Sequence, residues 1–321
     1  MAIYRILALD GGGVRGTLTA TILQRLSEQV PGWLDEVDLI AGTSTGGILA
    51  LGLARGLTPA ELQELYCDNC AEVFDDSWLD NILDLGQVVG AQFSNKNLAK
   101  MIDKVIGPVR LDELEKRVLI SAFDLDNEAE EALERSWKPK FFHNFPGEDS
   151  DGHFLARDVA LYTSAAPSYF PAVDGYIDGG VVANNPSMAA LAQVLDYRAD
   201  IPERPLLNEV RLLSVGTGKP LNFIHTRRKY LDWGYAHWVK PILDIMMDGS
   251  MGLADFQCQQ LLGHHQYLRI NPVLTEAIGL AAYKKVDELM HIGETCDLTE
   301  AVEWLENSWM ETEALFELVP A

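Results

Sequence analysis

The chain is 321 residues long and strongly acidic: 48 Asp and Glu residues against 25 Lys and Arg give a formal net charge of −23 at pH 7. This charge repels nucleic-acid phosphates, so no nucleic-acid partner is expected, and it disfavours simple electrostatic docking to an anionic membrane. With 48% hydrophobic residues the chain can bury a full core. It has no apolar run long enough for a signal peptide or a bilayer span. We therefore expect one cytoplasmic domain over residues 1–321.

The first sixty residues alternate between short apolar runs, glycine loops and helical patterns. Residues 4–9 form a compact apolar run ending in a glycine loop, and residues 17–30 then carry apolar side chains at helical spacing. Residues 37–41 form a second apolar run, followed by a helix start at 48–54. This alternation predicts a parallel sheet with helices on its faces, with ligand chemistry at the carboxyl ends of the strands.

The rest of the chain predicts more strands and a mainly helical C-terminal portion from about residue 220. The further strands are expected at 118–123, 140–143, 210–215 and 267–270. Residues 60–110 are expected to be largely helical, beginning at Thr58 and Pro59, which resemble an N-cap followed by proline at the first helical position. The acidic stretch 124–134 is expected to be a surface loop.

A serine between two glycines is the clearest chemical signal. In Gly42-Thr43-Ser44-Thr45-Gly46, Ser44 directly follows a predicted strand and directly precedes a predicted helix. A nucleophile elbow requires this context, because its turn is sharp and the neighbouring backbones crowd together. The helix N-terminus then favours negative charge developing at the serine. Ser44 is therefore the expected nucleophile of an acyl-transfer enzyme.

The glycine loop after the first strand supplies backbone donors. An acyl-transfer enzyme needs N–H groups where the tetrahedral oxyanion forms. The segment from Asp10 to Gly16 places Gly11, Gly12 and Gly13 in succession on a strand-to-helix turn beside the Ser44 turn. Arg15 in this loop is expected either to hold the loop shape, to form a surface ion pair, or to neutralise charge on a phosphate-bearing substrate.

Two other kinds of site are weighed against this interpretation. Gly11, Gly13 and Gly16 also spell a dinucleotide-binding GxGxxG, which requires an acidic residue at the carboxyl end of the second strand. Asp38 instead precedes the apolar residues of that strand, so the nucleotide interpretation is disfavoured. Cys67 and Cys70 form a single CxxC without a second pair, which favours ordinary reduced thiols over a metal or redox site.

The general base for Ser44 is less clear from the residues alone. Among the seven histidines, His143 is the best candidate, because it follows the aromatic strand residues Phe141 and Phe142. Asp178 is the alternative, since the two glycines after it let another backbone approach closely. A carboxylate base must be desolvated enough to raise its proton affinity. Most Asp-Gly pairs, however, are simply turns.

Three segments together resemble the patatin-like phospholipases, bacterial type. They are Asp10-Gly-Gly-Gly-Val-Arg-Gly16, Gly42-Thr-Ser-Thr-Gly46 and Asp178-Gly-Gly180. Supporting similarity comes from residues 163–171, 184–186 and 213–218, and the resemblance covers roughly residues 4–272.

The resemblance implies a three-layer α/β/α sandwich and a serine lipid acyl hydrolase that uses a Ser/Asp dyad without a catalytic histidine. Carried over by position, Ser44 attacks the ester carbonyl and Asp178 accepts its proton. Gly11, Gly12 and Gly13, with Arg15 nearby, would form the oxyanion hole. No metal or organic cofactor is implied. The implied substrates are membrane glycerolipids, reached by transient peripheral contact with the membrane.

Two further expectations concern the lipid surface and regulation. Residues 230–256 are rich in aromatic residues and methionines, and are expected to line an acyl channel, to dock on the bilayer, or to form ordinary core. The run 225–229 is the only candidate basic patch, and its composition favours an ordinary solvated surface run over a lipid-binding one. Some bacterial enzymes of the family are activated by a cyclic nucleotide, so a small-molecule activator is a further expectation from the resemblance.

Overall fold

The computed structural model describes residues 3–74, 91–196, 204–225 and 233–311. In these residues seven strands form one sheet. The strands are β1 (Tyr4–Leu9), β2 (Leu39–Thr43), β3 (Arg117–Asp124), β4 (Lys138–His143), β5 (Tyr176–Asp178), β6 (Val210–Val215) and β7 (Tyr267–Ile270). Every strand predicted from the sequence is confirmed, whereas the three-residue β5 was not predicted.

The sheet is mostly parallel and has the order β4-β3-β2-β1-β6-β7. Strands β4 and β5 run antiparallel to β3, and the remaining pairs are parallel. One edge of β3 is shared by two strands. β2 pairs with it as far as Thr43 opposite Ser121, and β5 continues along that edge with Asp178 opposite Ala122. The end of β2 and the end of β5 therefore meet.

Helices cover both faces of the sheet, so the expected three-layer α/β/α sandwich is confirmed. In the described part of the chain they are α1 (Gly16–Gln29), α2 (Thr45–Ala54), α3 (Pro59–Phe74), α4 (Asn95–Val105), α5 (Ala156–Thr163), α6 (Gly180–Ala183), α7 (Ser187–Val194), α8 (Tyr235–Leu261), α9 (Val286–Thr295) and α10 (Thr299–Trp304). Strand β1 shows why both faces are covered. Leu7 and Leu9 join one buried cluster and Ile6 and Ala8 the other, because successive side chains of a strand point to opposite faces.

The two buried clusters contain side chains of different helices. The cluster around Leu7 and Leu9 contains apolar side chains of α1 to α5, α9 and α10. The cluster around Ile6 and Ala8 contains those of α7 and the C-terminal end of α8. Helices α7 and α8 therefore form the second outer layer, and α8 extends from it with a partly exposed surface.

The N-terminus of α3 confirms the predicted cap. The Thr58 backbone N–H donates to Glu61 Oε2 at 2.8 Å, and the Glu61 N–H donates to Thr58 Oγ1 at 3.3 Å, which is a capping box. Residues 75–90 of the region predicted to be helical, and positions 226–229 of the basic run, lie outside the described residues. No helix in the described ranges is long and apolar enough to cross a membrane.

Candidate active site

Three neighbouring parallel strands end at one edge of the sheet, and the loops that follow them converge there. Leu9 of β1 is paired with Gly42 of β2 on one side and with Val215 of β6 on the other. The glycine loop, Ser44 and Thr217 follow these strand ends directly. Thr217 Oγ1 donates to Gly11 O at 2.9 Å, which fastens the β6 loop to the glycine loop. This is the edge at which the sequence predicts the chemistry.

Ser44 occupies a sharp turn between β2 and α2. Its φ of 53° and ψ of −124° lie in a region that favours glycine, which is the backbone geometry expected of a nucleophile elbow. The flanking glycines allow close approach: a Cβ on Gly46 would lie 2.3 Å from Leu9 O, and a Cβ on Gly42 would lie 2.3 Å from Gly46 O. The Ser44 N–H donates to Thr163 Oγ1 at 2.7 Å, which holds the turn.

Asp178 lies beside Ser44 because β5 pairs with β3 directly beyond the point where β2 ends. Its Oδ1 accepts the Gly180 N–H at 2.7 Å, while its Oδ2 is buried without a hydrogen-bond partner. Burial raises the pKa of this carboxyl to about 6, although the Ser44 hydroxyl and the Gly180 N–H both act to lower it. The Ser44 hydroxyl is thus close enough to affect Asp178, but no hydrogen bond of ordinary geometry yet joins them.

Of the three expected oxyanion donors, two are free to act. The Gly11 N–H already donates to Asn184 O at 2.9 Å. In the described part of the chain no hydrogen bond occupies the N–H of Gly12 or Gly13. Gly13 has φ 58°, and a Cβ there would lie 2.2 Å from Leu280 O, so the loop can take this path only with glycine.

The loop is anchored by a buried ion pair that the sequence did not reveal. Asp10 is fully buried, and Arg269 of β7 donates to both of its oxygens, Nη2 to Oδ2 at 2.5 Å and Nη1 to Oδ1 at 3.3 Å. Nη1 of Arg269 also donates to Ser214 Oγ at 2.6 Å. Removing one partner of such a pair typically costs about 3–5 kcal/mol, because it leaves a buried charge without compensation. Strand β7 therefore supports the site from two strands away.

Arg15 lies at the end of the glycine loop and points away from solvent. It is only 7% exposed, and its Nε donates to Gly12 O at 3.3 Å, which supports the expectation that it holds the loop shape. The surface ion pair that was also expected is wrong, because no salt bridge to Arg15 is formed by any residue the structure describes. Burial lowers the pKa of its guanidinium, and the nearby Asp248 and Asp244 oppose this.

An apolar cavity opens from Ser44 into the helical layer. It encloses about 580 Å³ of empty space, a volume that includes its open mouth. Ser44 and Gly13 are among the residues that line it. Its wall is almost entirely apolar and includes Ile48, Val73, Leu98, Met101, Phe170 and Met247. An apolar wall of this kind is complementary to an alkyl chain.

Asn184 and Thr163 are site residues whose roles sequence reasoning missed. Asn184 Oδ1 is buried without a hydrogen-bond partner, and a Cβ built on Gly11 or Gly180 would lie 2.3 or 3.1 Å from it. The side chain of Asn184 therefore sits between the glycine loop and the Asp178 turn. Both residues lie in segments that support the family resemblance, so their position in those segments was the available signal.

His143, the best histidine from the sequence, lies far from Ser44. It pairs with Leu119, which pairs in turn with Ala41, three residues before Ser44 and two strands away. Strand spacings of about 4.8 Å and rises of about 3.3 Å per residue place the two backbones roughly 14 Å apart. Its ring lies near Asp149 instead, with Nε2 at 3.8 Å. None of the histidines, all in the described ranges, is hydrogen-bonded to Ser44.

The nucleotide and metal interpretations find no support at the expected positions. Asp38 lies at the amino end of β2, away from the glycine loop, and its Oδ2 accepts the Arg5 N–H at 2.7 Å. Cys70 faces the apolar cavity, and burial raises the pKa of its thiol to about 12. Cys67 Sγ contacts Met290 Sδ at 3.1 Å. No group of three or more His, Cys, Asp or Glu side chains in the searched residues is placed to hold a metal ion.

Comparisons with known proteins agree with the geometry. The sequence profile described as patatin-like phospholipase matches residues 7–191. "Protein teg" of Priestia megaterium is 30% identical, covering 96% of this chain and 100% of that protein. The cGAMP-activated phospholipase of Vibrio cholerae is 37% identical over 66% of this chain and 64% of its own length. The protein of the same name from Pseudomonas aeruginosa is 32% identical, with coverages of 82% and 77%.

Among solved structures, ExoU of Pseudomonas aeruginosa in its complex with SpcU matches 97% of this chain and 54% of its own, at 14% identity and a TM-score of 0.42. That likeness is too distant to carry an argument, so the assignment rests on the sequence matches. The family profile covers more than half of the chain, and the match to "Protein teg" covers nearly all of it. The chain therefore belongs to the patatin-like phospholipase family and is a lipid-hydrolysing enzyme.

Proposed function

We propose that the protein cleaves fatty acyl esters of membrane glycerolipids with Ser44 as nucleophile and Asp178 as general base. The observation that carries this proposal is the state of Asp178. It is a buried carboxylate beside the serine hydroxyl, with Oδ2 unpartnered and a pKa raised to about 6 by burial. A general base works best when its pKa lies near the operating pH, and burial brings Asp178 towards it.

The reaction follows from these positions. Ser44 Oγ forms a bond to the ester carbonyl carbon as its proton passes to Asp178 Oδ2, and the N–H groups of Gly12 and Gly13 receive the oxyanion. When the tetrahedral intermediate collapses, the C–O bond to the glycerol backbone breaks and the leaving alcohol takes the proton from Asp178. Water then attacks the acyl-enzyme, giving its proton to Asp178, and the departing Ser44 oxygen recovers it. The products are a fatty acid and a lyso-lipid.

The apolar cavity is the proposed binding site for the acyl chain. It begins at Ser44 and Gly13, where the ester would lie, and continues between apolar side chains of α2, α3 and α4. Transfer of a chain from lipid into this cavity exchanges one apolar environment for another. Substrate selection would therefore depend on the ester and the headgroup more than on hydrophobic energy.

Mass spectrometry of the products from mixed phospholipids and galactolipids tests the proposal. Wild type is expected to release free fatty acid and lyso-lipid, and a fluorophosphonate probe is expected to label Ser44, because only an activated serine reacts readily. Ser44→Ala should do neither. Saturable NAD or NADP binding without ester hydrolysis would instead establish a nucleotide-binding module, and lipid binding without labelling would indicate a catalytically silent protein.

Helix α8 carries the proposed membrane contact. The structure divides the apolar stretch that the sequence singled out: Met247 is buried at the acyl cavity, while other apolar residues of α8 are exposed. The exposed ones recur at helical spacing and form a stripe: Tyr235, Trp238, Ile242, Ile245, Met246, Leu253 and Phe256. Tyr230 of that stretch lies outside the described residues. Since this stripe carries no charge, it suits a neutral lipid surface better than an electrostatic contact.

Replacing two stripe residues is expected to weaken vesicle binding. Ile242 and Phe256 are 43% and 60% exposed, so Ile242→Ser/Phe256→Ser should leave folding and the turnover of a soluble ester unchanged. Loss of their insertion into lipid should weaken co-sedimentation with phosphatidylcholine vesicles about tenfold. Leu133→Ser is the matched control, because Leu133 is fully exposed on a distant loop. Equal co-sedimentation of the double variant and the control would contradict the contact.

Activation by a cyclic dinucleotide is a second candidate property. It is favoured by the relatives named cGAMP-activated phospholipase in Vibrio cholerae, Pseudomonas aeruginosa and Escherichia coli. Esterase turnover measured with and without a panel of cyclic dinucleotides tests it, and the same rate across the panel would contradict it.

A further inference from the structure

A second cavity, different in chemistry, adjoins the acyl cavity. Its lining is about half polar and half apolar, and Arg15, Asn222, Asp244 and Asp248 contribute the polar side chains. Met247 and Leu280 line both cavities, so these two side chains form the partition between them. A glycerolipid whose ester lies at Ser44 could therefore place its acyl chain on one side of the partition and its headgroup on the other.

The charged groups of this cavity are only partly paired: Asn222 hydrogen-bonds to Asp248, whereas no salt bridge joins Arg15 to a carboxylate of the described residues. Arg15 is more than nine-tenths buried, and its terminal nitrogens make no hydrogen bond or salt bridge with any described residue. A buried guanidinium of this kind is costly unless an anion compensates it. Its only hydrogen bond, from Nε to Gly12 O, leaves both terminal nitrogens available to the cavity.

Two carboxylates face Arg15 from one side of α8. Asp244 and Asp248 are four residues apart, so they project from the same side of the helix. Asp244 is exposed at the rim and Asp248 is half-buried. Each lies near enough for Arg15 to lower the pKa of its carboxyl against the rise caused by burial, yet neither forms a salt bridge with it. With one cation and two carboxylates, the cavity has a formal charge of −1.

We propose that this cavity binds the headgroup of a zwitterionic phospholipid that carries a primary ammonium, with the phosphodiester at Arg15 and the ammonium at Asp244 and Asp248. The inference rests on the proposed function and adds the headgroup that it leaves open. A phosphodiester compensates the buried guanidinium, and the ammonium satisfies the two carboxylates.

The same chemistry disfavours other headgroups. A glycerol phosphodiester adds a negative charge without a cation, so the two carboxylates would repel it. A quaternary ammonium is usually bound in a cage of aromatic rings, and no aromatic side chain of the described residues lines this cavity. A primary ammonium, in contrast, has three N–H donors for carboxylate oxygens. Phosphatidylethanolamine therefore fits better than phosphatidylglycerol or phosphatidylcholine.

Turnover in mixed micelles of a nonionic detergent tests the proposal. The substrates are phosphatidylethanolamine, phosphatidylcholine, phosphatidylglycerol, monogalactosyl diacylglycerol and diacylglycerol, together with a soluble nitrophenyl ester. For wild type, kcat/KM on phosphatidylethanolamine should exceed that on phosphatidylglycerol by about tenfold or more. Asp244→Asn/Asp248→Asn should remove this preference and leave the rates on diacylglycerol and the nitrophenyl ester within about twofold of wild type.

The control is a double variant with the same change of charge away from the cavity. Asp68→Asn/Asp149→Asn replaces two exposed aspartates on α3 and on the loop after β4, and should keep the wild-type preference. A readout independent of turnover is calorimetric titration of Ser44→Ala protein with soluble glycerophosphoethanolamine. Saturable binding is expected, about tenfold weaker once Asp244 and Asp248 are replaced.

Each failure has a distinct meaning. The headgroup proposal is overturned if the Asp244→Asn/Asp248→Asn variant keeps the preference, if wild type treats phosphatidylcholine, phosphatidylglycerol or the galactolipid like phosphatidylethanolamine, or if glycerophosphoethanolamine does not bind. Ester hydrolysis without any phospholipid turnover also overturns it, while leaving the serine chemistry intact. If Ser44→Ala hydrolysed esters at the wild-type rate, the proposed function itself would be overturned.

Discussion

Replacing Asp178 with asparagine is expected to lower kcat about a thousandfold or more, because the amide cannot accept the Ser44 proton. The substitution is nearly isosteric, and an Asn side-chain oxygen can still accept the Gly180 N–H that now donates to Oδ1. The loss would therefore report on proton transfer and not on a collapsed turn. Steady-state hydrolysis of a soluble nitrophenyl ester measures it without interference from membrane binding.

The pH dependence should identify Asp178 as the base. A base must be ionised to accept a proton, so the activity falls as the pH drops below its pKa. For wild type, kcat/KM should decrease about tenfold per pH unit below about 6, where burial places the pKa of Asp178. This acidic limb should be absent from the residual activity of Asp178→Asn.

The stability of Asp178→Asn separates a catalytic loss from misfolding. Because the carboxyl pKa is raised from 3.8 to about 6, ionised Asp178 opposes folding, by an amount that grows between these pH values and is complete above 6. At 1.36 kcal/mol per pKa unit the cost is about 3 kcal/mol. Urea denaturation at pH 8 should therefore find the variant at least as stable as wild type, with little difference below pH 4.

His143→Gln is the control that tests the competing Ser-His mechanism. His143 lies at the far end of β4 and contacts neither Ser44 nor Asp178. Its replacement should leave kcat within a few-fold of wild type. If His143→Gln lost activity while Asp178→Asn kept it, the dyad would be wrong.

The strands and the elbow were predictable because their signals are local. Residues 4–9 and 210–215 are mostly apolar runs, as is typical of buried parallel strands, and the structure places strands at both. Ser44 was predictable for a similar reason, since Gly42 and Gly46 flank it within five residues and their close contacts are made with adjacent turns. In these segments, local pattern and tertiary packing demand the same residues.

The partners of the site were less predictable because long-range pairing creates them. Strand β5 has three residues, too few for a periodic pattern, and it is defined only by its pairing with β3. Arg269 approaches Asp10 across 259 residues of sequence, and no local spacing indicates such a contact. The role of α8 was equally hard to predict, because the same apolar stretch supplies both a cavity wall at Met247 and an exposed stripe beside it.

Ser44→Gly is expected to abolish activity and to stabilise the fold, which would show that the elbow stores strain for catalysis. A side chain at φ 53° and ψ −124° typically costs about 1–3 kcal/mol, and glycine avoids most of it. Ser44→Gly and Ser44→Ala should both lower kcat/KM at least about ten-thousandfold. Only Ser44→Gly should raise the free energy of unfolding, by about 1 kcal/mol relative to Ser44→Ala, since glycine also loses more entropy on folding.

Ala99→Gly in the middle of α4 supplies the matched comparison, because it makes the same alanine-to-glycine change at an ordinary helical position. There the substitution should lower stability by about 1 kcal/mol. Opposite signs at positions 44 and 99, measured by urea denaturation, would attribute the gain at 44 to its backbone conformation. Equal losses at both positions would mean that the turn between β2 and α2 holds Ser44 without strain. The fold would then hold the Ser44 hydroxyl at the end of β2 without a loss of stability.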